Sequence, residues 1–225
     1  MEKTKGKTKS ARKSPGKVRA AIIKRYREHM LEHGTEPSSI YAFCKEIGIA
    51  EEDFYQHFNQ FEQVGEAFWQ DVVEEVWQKL ENDADYLELS VREKMLSFYF
   101  EFFTLMRAHR SFFLLSYDEA WPGIGSRKNS FEGLRRSFRE WSGRMVEEGV
   151  SRQEISSRSR LSETYDRLFW YQFLFLMNFW KRDRSKGFEK TDAAIEKSVN
   201  LAFDLIEKNA IDSALDFGKF MFQNR

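Results

Sequence analysis

Few residues of this chain are spaced for chemistry. His29 and His33 stand four apart with Glu32 between them, so on a helix both imidazoles would face one side and could share a metal ion. No further ligands fall at a recognisable spacing, and surface or helix-capping histidines account for the pair. Cys44 is the single cysteine, which excludes an intramolecular disulfide and fits a reducing compartment. There is no glycine-rich phosphate loop, nucleophile elbow or HExxH pattern. Neither an enzyme nor a cofactor is expected. What remains is a stretch spaced for recognition. Ile40, Phe43, Cys44 and Ile47 form one apolar-periodic segment, Gly48 follows, and a second segment carries Phe54, Tyr55 and Phe58. Helix, glycine turn, helix is the unit that places a recognition helix in the major groove of DNA.

The charges of this unit oppose that use. Between residues 37 and 62 the one basic side chain is Lys45, against five acids. Affinity for duplex DNA comes largely from Lys and Arg displacing counterions. Glu51 could accept from cytosine N4 as a specificity contact. Glu51, Glu52 and Asp53 in succession would repel phosphate, although acids at a helix start stabilise the helix itself by about 0.3–1 kcal/mol each.

The elements that must position these residues are helical. The chain has 225 residues, 41% hydrophobic and 32% charged, with 22 Phe and 6 Trp but 3 Pro and 12 Gly. That composition favours long uninterrupted helices with aromatic interiors. Helices are expected at about 15–33, 39–48, 50–57, 60–81, 90–109, 111–118, 127–149, 161–181 and 190–208, with a last amphipathic segment over about 211–222. Ser14-Pro15 reads as a cap and first turn, Ser90 to Glu93 as a capping box, and Gly34, Gly48 and Gly149 as helix stops. No strand or internal repeat is evident, so the fold class is all-α. Residues 1–14 read as a disordered basic arm, 15–60 as a helix-turn-helix domain, and 61–225 as a larger helical domain with the helix at 61–81 as connector.

Net charge is zero, but residues 1–30 carry +9 and residues 31–90 carry −13. The arm has three readings: it follows the DNA minor groove or backbone, it solubilises, or it folds back on the acidic face of the fourth helix. The longest apolar run, Leu168 to Trp180, is too short for a membrane span of ~20 residues and reads as a buried helix. No signal peptide is evident, so a cytoplasmic location is expected.

The helix-turn-helix stretch resembles TetR-type (TetR/AcrR) transcriptional regulators. Gly34, Ser39, Ile40, Phe43-Cys44, Gly48-Ile49, Phe54-Tyr55-Gln56-His57-Phe58 and Glu62 fall in that family's register. The resemblance implies a three-helix DNA-binding domain followed by a helical ligand-binding and dimerisation domain. It implies phosphate contacts at Ser39, Tyr55 and His57 and a small buried core residue at Cys44; Lys45, as the one cation, and Glu51, as a base-edge acceptor, complete the candidate DNA contacts. Where the family pattern has a phosphate-contacting Lys before Glu62, this chain has Phe61. An acidic recognition helix departs from the pattern too.

The resemblance further implies a ligand cavity in the aromatic region. The stripes are core residues in the first instance, since any bundle needs them. Phe98, Phe102 and Met106 would line the cavity from one helix, Phe113, Tyr117 and Trp121 from the next segment. Phe138 and Trp141, and then Trp170, Phe173 and Met177, would close it, with Tyr117, Gln172 or Asn178 as polar anchors. The partners expected are operator DNA, a hydrophobic small molecule and a second copy of the chain, docked through the eighth and ninth helices. The eighth is apolar nearly all round, which by itself calls for a partner. The last segment lacks a Lys/Arg excess and is expected to dock on protein rather than membrane. The alternative is a chain of this fold that has lost DNA recognition and binds a lipid-like ligand or a protein partner.

Overall fold

Local capping chemistry sets the first elements. Ser39 Oγ accepts the Ala42 N–H at 3.2 Å and opens a helix at Ile40–Ile47. Gly48 closes it at φ 70°, a left-handed conformation that costs a glycine nothing, and the chain turns at once into Glu51–Tyr55. The computed structural model describes residues 14–117, 131–155 and 162–207. Among them the chain is all-α. Its helices are α1 (Pro15–His33), α2 (Ile40–Ile47), α3 (Glu51–Tyr55), α4 (Phe61–Glu81), α5 (Ala84–Glu88), α6 (Val91–Ala108), α7 (Arg110–Ser116), α8 (Glu132–Ser151), α9 (Ser162–Arg182) and α10 (Glu189–Glu207). A 3-10 turn at Lys186–Phe188 precedes α10.

The chain divides into two compact units, Met1–Gly65 and Glu66–Arg225. In the first, α1, α2 and α3 pack on one another. Their core is Val18, Ile22, Ile23, Tyr26, Phe43, Cys44, Phe54 and Phe58, joined by Phe61 and Val64 from the start of α4. In the second, α6 packs on α8 and α10, and α9 on α8 and α10. A capping box starts α6: Ser90 N–H donates to Glu93 at 2.8 Å and Glu93 N–H to Ser90 Oγ at 3.3 Å. Buried Lys94 on α6 donates to Glu148 on α8 at 2.6 Å, and Arg152 supplies a second cation at 2.9 Å.

Several expectations change. Ser14 stands at the N-cap of α1, yet only its carbonyl takes part, accepting from Lys17 and Val18 N–H. A short helix, α5, occupies what reads as a break. Asp83 caps it by accepting the Asp85 N–H, and Tyr86 is its buried residue, too little for periodicity to register. The helices expected eighth and ninth are therefore α9 and α10. Gly149 does not stop α8, which runs to Ser151. It is buried under Ile155, whose Cδ1 would lie 2.6 Å from a Cβ at this position; the glycine admits that side chain. The arm (residues 1–13), the loop around Trp121, part of the 151–160 stretch and the segment 211–222 lie outside the described residues. No helix among the described residues is long and apolar enough to cross a membrane.

Candidate functional site

The helix-turn-helix is built on an aromatic cluster. Phe43 of α2 meets Phe54 of α3 edge-on at 6.2 Å, and Phe61 packs on both, at 5.3 and 5.7 Å. Tyr26 of α1 stacks on Phe61 at 5.8 Å and donates its hydroxyl to Glu36 at 3.0 Å. Burial, then Glu36, push that phenol well above its ordinary pKa. Arg25 ties α1 to α2, donating to Glu46 at 2.7 Å and to Glu32 at 3.0 Å. Phe61 is thus a core residue, 8% exposed. The position at which the family pattern carries a phosphate-binding Lys holds the helices together here.

Around this core the expected DNA-facing residues are placed as follows. Ser39 is exposed with one lone pair committed to its cap. Lys45 and Glu51 are exposed and border one hollow of ≈ 330 Å³ at the α2–α3 turn. Tyr55 is half exposed, its ring edge-on to Phe54 at 5.7 Å, and His57 is partly exposed beside Phe58. Sequence reasoning missed Tyr41, 63% exposed and bordering the same hollow. Its offset from Phe43 and Cys44 was the signal, because it falls off the apolar stripe. The three acids are not equivalent: Asp53 accepts the Ala50 N–H at 3.3 Å and caps α3, whereas Glu51 and Glu52 are exposed. Cys44 is buried, and burial, followed by Glu51 and Asp53, pushes its thiol up to about 11. His29 and His33 pack ring to ring at 4.3 Å, and no metal-competent group of three or more His, Cys, Asp or Glu occurs among the described residues.

In the second unit the aromatic stripes meet as a stack. Phe98 lies on Trp141 with centroids 3.8 Å apart, and Phe138 on Phe173 at 4.4 Å and 5°. Phe102 packs edge-on to Phe173, and Trp170 abuts both Phe138 and Phe173. Met106 and Met177 are fully buried. Phe113 and Tyr117 form a second group, stacked at 4.5 Å, against Trp180 and Phe131. Trp121 lies outside the described residues. Trp69 and Trp180, which sequence reasoning left out, both pack on Phe113; their buried indole N–H groups have no partner among the described residues. The spacing of Trp69 from Val73 was the available signal. The polar residues expected as anchors are already engaged: Tyr117 donates to Asn178 at 2.8 Å, and Gln172 joins Tyr99 to Ser198.

Comparison with known proteins now identifies the fold. The profile of the tetracyclin repressor-like C-terminal domain matches residues 94–221, more than half of the chain. The chain belongs to the TetR family. Solved relatives have the same architecture: a TetR family transcription regulator from Shewanella sp. PV-4 at 14% identity covers 84% of this chain and 97% of its own, with a TM-score of 0.56. One from Syntrophomonas wolfei str. Goettingen, at 13% identity, covers 83% and 95% with a TM-score of 0.60. At such identity they bear on fold alone. No curated protein matches the sequence. The descriptions of this TetR chain's relatives name transcription regulators rather than enzymes.

Proposed function

We propose that the chain is a ligand-responsive transcription regulator that binds operator DNA as a homodimer. The observation that carries this is the intact α2–turn–α3 unit with Ser39, Tyr41, Lys45 and Tyr55 on its open surface over a fully packed core. Hydroxyls and one cation are fit to contact phosphate, and Glu51 to accept from a base edge. Glu51 and Glu52 weaken the electrostatic term, so recognition leans on geometry and on the basic arm.

Dimerisation is supported by a stripe of apolar side chains that one chain leaves uncovered. Tyr171, Phe175 and Phe179 follow one another at four-residue spacing along α9, the first two nearly half exposed. A groove of ≈ 460 Å³ is lined by Phe175 and Phe179 together with Ala193, Ala194 and Leu201 of α10, the last 60% exposed. Two copies packed through α9 and α10 would cover it. The effector reading rests on the aromatic interior. Its rings fill their own space, so a hydrophobic ligand must displace some of them, and the orphan N–H groups of Trp69 and Trp180 favour one with an acceptor atom. Regulation then requires the ligand to favour one spacing of the two recognition helices over another.

A second reading has its own observation. Phe61 has exchanged a cation for core packing and Glu51 and Glu52 face outward, so the unit could keep its fold without DNA affinity and serve a lipid-like ligand or a protein partner. DNase I footprinting on the DNA flanking the chain's own gene separates the two. Protection of two half-sites about one helical turn apart supports the regulator. Bare DNA throughout at low salt, where electrostatic attraction is strongest, leaves the second.

A further inference from the structure

Phe113 stands between the two orphan donors of the aromatic interior. Its ring is fully buried on α7, with Trp69 of α4 edge-on at 6.0 Å and Trp180 of α9 edge-on at 5.0 Å. Both indoles are fully buried, and neither Nε1 has a hydrogen-bond partner among the described residues. Phe113 offers them only hydrocarbon. A buried N–H without an acceptor calls for an explanation, and an acceptor carried in by a ligand supplies one.

The polar groups of this interior leave donors in excess. Asn178 Oδ1 accepts the Tyr117 hydroxyl at 2.8 Å, and Gln172 Oε1 accepts that of Tyr99 at 3.4 Å, so both amide oxygens are engaged. Charge is engaged too. The buried charged side chains among the described residues are Lys94 and Asp183. Lys94 donates to Glu148 at 2.6 Å, and Asp183 accepts from Ser185 N–H at 2.7 Å and Thr191 N–H at 3.0 Å. Arg110, whose guanidinium lies 4.5 Å from the Trp180 ring, donates to the carbonyls of Trp180, Lys181 and Asp183. Lys181 donates to the Tyr117 carbonyl at 3.0 Å. A carboxylate entering here would compete for cations already committed, and an ammonium for an acid already committed. Taking such a charge out of water without a partner costs more than one neutral hydrogen bond returns.

We propose that Phe113 holds the place of an uncharged planar aromatic ligand that carries a carbonyl or ether oxygen. The ligand displaces the ring, and its oxygen accepts from Trp69 or Trp180; a ligand with two such oxygens meets both. Flatness follows from the neighbours. Tyr117 stacks on Phe113 at 4.5 Å and 17°, and a planar ligand inherits that stack. The inference rests on the effector reading above and narrows it from hydrophobic small molecules to neutral acceptors. Phe113, Trp69 and Trp180 are all buried within one chain, so the site does not draw on the α9–α10 face that a second copy would cover.

Equilibrium dialysis of the full chain against three naphthalenes of similar shape tests this: 2-acetylnaphthalene with a carbonyl acceptor, 2-isopropenylnaphthalene with none, and 2-naphthoate with a charge. The ketone should bind saturably, one per chain, and the naphthoate at least about tenfold more weakly. Trp69→Phe and Trp180→Phe each keep a ring and remove the donor. At least one of them should weaken the ketone by about three- to tenfold, the worth of one neutral hydrogen bond, and leave the hydrocarbon's affinity unchanged. That unchanged affinity also shows the variant to be folded. Phe113→Leu should tighten ketone and hydrocarbon together, because less side chain has to move. Naphthoate binding as tightly as the ketone overturns the proposal, as does an equal loss of ketone and hydrocarbon in both Trp variants, or no tightening in Phe113→Leu. If no probe binds the parent or Phe113→Leu, the effector reading falls with it.

Discussion

Replacing Phe61 by alanine should unfold the helix-turn-helix and leave the rest of the molecule standing. The ring is 92% buried by its 8% exposure and touches Tyr26, Phe43 and Phe54 at centroid distances of 5.8, 5.3 and 5.7 Å. It is the residue common to α1, α2 and α3. Truncating a buried Phe to Ala costs about 3–5 kcal/mol through lost transfer energy and the cavity left behind. For a unit of 65 residues that is comparable with its whole stability, at roughly 0.05–0.15 kcal/mol per residue. The assay has an internal control, because all six tryptophans lie in the second unit, from Trp69 onward. In urea, the tryptophan transition should stay near that of the parent while hydrogen exchange in α1–α3 loses most of its protection. Phe61→Lys, which restores the family's cation, should lose stability in the same unit, because the long stem replaces the ring poorly among three aromatic partners. Full protection of α1–α3 in Phe61→Ala would refute the claim that this position has moved from DNA contact to core.

Other perturbations read other parts of the structure. Burial alone would raise the pKa of Asp183, but its hydrogen bonds from Ser185 and Thr191 take it down to about 2. Its stabilisation is thus complete above the unfolded value of ~3.9 and is lost as pH falls toward 2; the gap is worth on the order of 2 kcal/mol. Asp183→Asn should lose about that much at pH 7 in denaturant titrations and show a flatter dependence between pH 4 and 2; an unchanged pH profile would contradict the assignment. Phe175→Glu with Leu201→Glu should convert dimer to monomer in sedimentation without changing helicity, since both side chains are already well exposed. An unchanged mass would take α9 and α10 out of the interface. Cys44, its thiol pushed up to about 11 by burial, should react with a thiol reagent at neutral pH only as the first unit opens. Rapid labelling of the native chain would show the residue to be accessible.

What could be read from the sequence was what local chemistry encodes. Gly48 at the α2–α3 turn, the Ser90–Glu93 capping box and the four-residue spacing of Phe54 and Phe58 each state their own geometry; the all-α class followed from such signals, and the TetR fold from the resemblance of the stretch from Gly34 to Glu62. Features that depend on another element were not legible. α5 has a single buried side chain, Tyr86, and Gly149 reads as a stop because Ile155, which fills the space above it, lies beyond the helix. The three acids of α3 look alike in sequence, yet Asp53 is a cap and Glu51 and Glu52 are surface charges. The aromatic stripes of α6, α8 and α9 have the same spacing whether they enclose a ligand or stack on each other, so the stacking of Phe98 on Trp141 and of Phe138 on Phe173 is set by how the helices pack.

The central claim is that α2 and α3 bind operator DNA in a dimer, and the salt dependence of that binding measures it most directly. Fluorescence anisotropy with a labelled fragment from beside the chain's own gene gives the slope of log K against log salt for the parent and for Lys45→Ala. Each phosphate contact contributes about 0.9 to that slope on duplex DNA. Losing one Lys45 contact from each of two chains should flatten it by about 1.8, with a uniform loss of affinity across sequences. A parent that binds no fragment at low salt, or a slope that Lys45→Ala leaves untouched, would contradict the account.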